Sequence, residues 1–90
     1  MTETEESSLG REKLPISESL RVIRSETLSK TEKWWLAIAL LEAFGRKQLA
    51  IYLWLKKAEG WRRQQKFVIR SKKDWERMRE AVGRFLDELP

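Results

Sequence analysis

The chain has 90 residues, one small domain at most, with 19 Lys and Arg against 14 Asp and Glu for a formal charge of +5. It has no Cys and no His, which excludes disulfide staples, thiol chemistry, Cys/His zinc sites and any Ser–His or Cys–His nucleophile pair. The basic excess favours a polyanionic partner, and five Trp supply flat rings beside it.

Residues 1–15 are polar and acidic, with Gly10 and Pro15 as breakers. They read as a disordered acidic tail ahead of a single domain over 16–90. The acidic start is the opposite of a signal peptide's basic one, and the longest apolar run, Trp34 to Leu41, is far below the ~20 residues needed to span a bilayer. A cytoplasmic, nucleoid-associated protein that does not engage membranes is expected. The lack of both Cys and Asn hints at a heat-adapted source.

Leu20 and Val22 alternate with Arg21, which suits a strand near Glu18 to Arg24, although a short helix fits the same residues. Ser25 to Lys33 reads as a polar connection. Trp34 to Leu41 is apolar throughout, so periodicity does not separate helix from strand. Its Ala and Leu content favours a helix. Gly45-Arg46 followed by a second apolar run favours a hairpin, and a third strand would stabilise the sheet, so the strand is preferred. In Lys47 to Lys56, Leu49, Ile51, Leu53 and Leu55 share one face, and Gln48, Ala50, Tyr52, Trp54 and Lys56 the other. Lys57-Ala58-Glu59-Gly60 is a turn into a partner strand over Trp61 to Arg70. Strict alternation there groups Trp61, Arg63, Gln65, Phe67 and Ile69 on one side, with Arg62, Gln64, Lys66, Val68 and Arg70 on the other.

Ser71-Lys72-Lys73-Asp74 fits a helix-capping pattern. Trp75, Met78, Val82, Phe85, Leu86 and Leu89 then form one apolar helical stripe. The implied fold is α+β: a small antiparallel sheet of three to four strands, with the C-terminal amphipathic helix packed on one face. If the helix takes the Leu49/Ile51/Leu53/Leu55 and Phe67/Ile69 side, parity leaves Trp35, Tyr52, Trp54, Arg62, Lys66 and Arg70 on an open reverse face. Charge agrees. Trp34 to Lys73 carries ten bases, two acids and four of the five Trp. Rings and cations on one sheet face suit single-stranded nucleic acid, because a duplex hides the faces of its bases. On this reading Trp54→Ala lowers affinity without unfolding the protein. Trp75 is expected in the core, while Trp34 and Trp61 fit either role.

The run from Gly45-Arg46-Lys47 through Trp54 and Trp61 to Phe67-Val68-Ile69-Arg70-Ser71-Lys72-Lys73-Asp74-Trp75 resembles two groups. One is the archaeal single-stranded-DNA-binding ThermoDBP and ThermoDBP-related proteins; the other is the positive-coactivator-four-like family, with its strand meander and Ser/Thr-capped helix. The resemblance covers about Trp34 to Leu89. It implies non-catalytic, largely sequence-independent binding of single-stranded DNA, with RNA as the second candidate, often by a homodimer. Longer ThermoDBP members carry a C-terminal coiled coil, whereas this sequence stops at Pro90. The expected contacts are Trp35, Arg46, Lys47, Tyr52, Trp54, Lys56, Trp61, Arg62, Lys66 and Arg70. No catalytic group, cofactor or metal is expected, since Gly45 and Gly60 are isolated turn glycines and the acids of the helix suit capping or a solvated face. Two rivals stand beside this reading: a winged-helix-type double-stranded DNA or RNA binder with residues 34–44 helical, and a protein-interaction module using the aromatic face.

Overall fold

The computed structural model describes residues 13–90, so nearly all of the expected acidic tail lies outside the described residues. Four strands, β1 (Arg21–Lys30), β2 (Trp34–Ala43), β3 (Arg46–Lys57) and β4 (Gly60–Ile69), form an antiparallel sheet in chain order. One helix, α1 (Lys72–Phe85), follows and ends in a 3₁₀ turn over Leu86–Glu88. The α+β architecture is the one the sequence implies, and Trp34–Ala43 is a strand.

Each connection has a local cause. Phe44 (φ 55°) and Gly45 (φ 76°) both take left-handed backbone in the β2–β3 hairpin, the conformation whose twist matches the flanking strands. At the other hairpin Gly60 has φ 122°, a region only glycine enters freely. The Ser71 hydroxyl accepts the Asp74 backbone N–H at 3.1 Å and caps α1.

Three expectations need correction. First, β1 continues to Lys30, through the stretch read as a polar connection. Polar residues are at home there because β1 is an edge strand, and Thr27 is buried so that its hydroxyl accepts the Trp35 indole N–H at 2.9 Å. Second, α1 has no buried residue; Trp75, Val82, Phe85, Leu86 and Leu89 are all exposed. The helix follows the sheet without burying its stripe on it.

The third correction concerns which face is covered. Trp35, Tyr52 and Trp54 are only 3%, 2% and 1% exposed and form the core with Ala37, Ala39, Leu41 and Ala50. Their cover is the segment ahead of β1, here called the strap (residues 13–20): Leu14 is buried among the rings, and Ile16 and Leu20 pack against them. Leu14 falls within the stretch expected to be disordered. Aromatic rings bury roughly 150–250 Å² each, so covering this face removes more apolar surface from water than covering the leucines would. The aliphatic face is the one left open. Among Leu36, Ile38, Leu40, Leu49, Ile51, Leu53, Leu55 and Phe67 none is buried, and Phe67 is 52% exposed; Ile69, opposite Leu49 near the end of β4, is the buried residue of this face.

Candidate nucleic-acid interface

Strand pairing gathers charge at one end of the sheet. There the end of β1, the β1–β2 connection, the end of β3 and the start of β4 meet. They carry Lys30, Lys33, Lys56, Lys57, Arg62 and Arg63 against Glu32 and Glu59. The Glu59–Arg62 ion pair, 3.8 Å and well exposed, is of the weak surface kind.

Trp61 is the ring of this end. It is half-buried, packs against the core cluster, and meets Trp35 edge-on at 5.4 Å and 67°. Lys56 Nζ lies 5.0 Å from its centroid and Lys30 Nζ 5.7 Å; Lys30 Nζ also sits 3.7 Å from the Trp35 ring. Ammonium groups this close to indoles are in cation–π range. Below them Trp35 tilts on Trp54 at 5.1 Å, and Trp54 stacks on Tyr52 at 5.0 Å and 3°. Lys66, opposite Tyr52 in the ladder, places its Nζ 5.5 Å from that ring.

A bulge explains how Trp61 reaches this face. Leu53 pairs with Gln65 but Trp54 pairs with Arg63, so Gln64 is an extra residue in β4. One inserted residue reverses side-chain parity beyond it. Trp61 and Arg63 therefore join the side of Tyr52 and Trp54, and Arg62, opposite Leu55, takes the aliphatic side. This reverses the expected placement of all three.

The ten expected contacts thus divide. Lys56, Trp61 and Arg62 meet at the basic end, and Lys66 lies along β4 next to Tyr52. Trp35, Tyr52 and Trp54 are the core beneath, not an open platform. Arg46 and Lys47 lie at the opposite end of the β2–β3 hairpin, and Arg70 just past the end of β4 on that same side; a ten-residue strand separates the two ends by roughly 30 Å. Sequence reasoning missed Lys30, Lys33, Lys57 and Arg63. The density of Lys and Arg over 56–63 was a readable signal; Lys30 became legible only with the true length of β1.

One buried polar atom stands out. The Tyr52 hydroxyl has no hydrogen-bond partner among the described residues, an omission that costs about 1–3 kcal/mol. Burial pushes its phenol above the ordinary range, opposed by the nearby Arg63 charge. A groove of about 400 Å³ runs between strap and sheet here, lined by Pro15, Ile16, Ser17, Leu20, Tyr52, Arg62 and Arg63.

Among the described residues there is no group of three or more potential metal ligands, and no helix is long and apolar enough to cross a membrane. No protein-family model, curated protein or solved structure matches the chain.

Proposed function

We propose that the protein binds single-stranded DNA, without catalysis and with little sequence preference, at the basic end of its sheet, and that it does so as a cytoplasmic, nucleoid-associated homodimer. The observation that carries the reading is Trp61, a part-exposed indole with the Lys56 and Lys30 ammonium groups 5.0 and 5.7 Å from its centroid, on an edge holding six Lys and Arg, namely Lys30, Lys33, Lys56, Lys57, Arg62 and Arg63. Rings accept bases of any sequence, at about 1–3 kcal/mol per stacked base, and the cations neutralise phosphates. Trp35, Tyr52 and Trp54 support the site from below. The resemblance to ThermoDBP and positive-coactivator-four-like proteins points to the same class of ligand, with RNA as the second candidate.

A second copy of the chain suits the open aliphatic face. Eight apolar side chains form a continuous sheet surface with Leu and Ile at its centre, the composition of a homodimer interface. The same chain carries an unpartnered apolar helix stripe. A two-fold pair buries both kinds of surface on both copies at once.

The test is a Trp-fluorescence titration with oligo-dT. Quenching that weakens as salt rises is expected, with little response to duplex DNA. Trp61→Ala, whose ring is only half-buried, should bind about tenfold more weakly, in line with the loss of one stacked base. Equal affinity of Trp61→Ala and the parent, or no quenching in dilute buffer, refutes the reading.

A further inference from the structure

The groove beside the strap holds a buried donor, the Tyr52 hydroxyl, that DNA binding along the sheet edge leaves unused. We infer that the groove is a subsite for a phosphate monoester, held by the Tyr52 hydroxyl with the Arg63 guanidinium, and that in the DNA complex it receives the terminal phosphate of the strand. The last part rests on the single-strand reading above.

The Tyr52 side chain is 2% exposed, yet its oxygen lacks a partner. Buried hydroxyls in folded proteins are normally paired, so an orphan on the wall of a groove is a place for a ligand atom. Arg63, opposite Trp54 in the ladder, lines the same groove on the Tyr52 side, its charge is felt by the phenol, and none of the lining residues is acidic. Guanidinium is the side-chain group best matched to phosphate oxygens. A terminal phosphate offers three non-bridging oxygens and nearly two charges, whereas an internal phosphodiester offers two oxygens and one charge. The groove also adjoins the basic end, through Arg62 and Arg63, so a strand lying over Trp61 brings its terminus within reach.

The strap itself can give way to a ligand. Among the described residues its backbone hydrogen bonds are internal, Ile16 N–H to Leu14 C=O at 2.8 Å and Leu20 N–H to Ser17 C=O at 3.1 Å. Side-chain packing of Leu14, Ile16 and Leu20 holds it to the sheet.

The experiment compares unphosphorylated, 5′-phosphorylated and 3′-phosphorylated oligo-dT, with the full chain and with Tyr52→Phe. That substitution keeps the ring and its stack on Trp54 and deletes only the unpartnered oxygen, so its melting temperature should equal or exceed the parent's. One of the phosphorylated strands should bind the parent about tenfold tighter than the unphosphorylated one, the scale of a hydrogen bond to a charged group, and Tyr52→Phe should lose that preference. Equal binding of all three strands overturns the subsite and leaves the single-strand reading intact. A preference that survives in Tyr52→Phe reflects added charge alone and also overturns it. If no oligonucleotide binds, the single-strand reading fails, and inorganic phosphate decides the subsite. Stabilisation of the parent by phosphate, absent in Tyr52→Phe, upholds it with free phosphate as the source, and no stabilisation ends it.

Discussion

Replacing Trp54 by alanine is expected to cost about 3–5 kcal/mol of folding stability, the reverse of what its strand parity alone implies. The ring is 1% exposed, stacks on Tyr52 at 5.0 Å and touches Trp35 at 5.1 Å. Leu14, Ile16 and Leu20 of the strap close over the same cluster. Removing the indole leaves a cavity that Ala37 and Ala50, already the smallest side chains able to pack there, do not fill. For a domain of this size each kcal/mol lowers the melting temperature by roughly 4–8 °C. Thermal denaturation should therefore show a fall of roughly 12 °C or more. A melting temperature within a few degrees of the parent's would mean that the strap does not seal the aromatic face in solution.

Ile51→Glu should split the protein into monomers. Ile51 sits on β3 in the middle of the aliphatic face, opposite Ile38 on β2 and Phe67 on β4. In the monomer it is only partly covered, so a carboxylate there remains in contact with water and the sheet folds. In a face-to-face pair it would be buried without a cation, at a cost of several kcal/mol. Light scattering coupled to size exclusion should report a dimer for the parent and a monomer for the variant. A parent monomeric at high micromolar concentration, or a variant that stays dimeric, removes the aliphatic face as the contact between copies.

What the sequence revealed and what it concealed separate along physical lines. Alternation made β3 and most of β4 readable, and the Ser71 cap announced α1, because each of these depends on near neighbours. The choice between two apolar sheet faces does not. It turns on which face a distant segment covers: Leu14 lies in the stretch read as a disordered tail and Leu20 in one read as a strand, and neither reading places a cover over the rings. A single extra residue, Gln64, moved Trp61 and Arg63 across the sheet; nothing in Arg62-Arg63-Gln64-Gln65 distinguishes a bulge from regular alternation. The absence of a bed for the α1 stripe was invisible for the same reason as the open aliphatic face: each depends on what the rest of the chain leaves uncovered. The gathering of cations around residues 56–63 needed only composition, and it survives in the site.

The proposed placement of a nucleic-acid site at the basic sheet end can be tested on the five indole N–H signals of the 15N-labelled protein during titration with unphosphorylated oligo-dT. Trp61 should shift and saturate with the strand, and Trp35, which meets it edge-on at 5.4 Å, should follow by a smaller amount. Trp54, sealed beneath the strap, and Trp75, on α1 beyond the far end of β4, should hold their positions. A Trp61 signal unmoved at saturation, with Trp54 or Trp75 shifting in its place, would contradict the account.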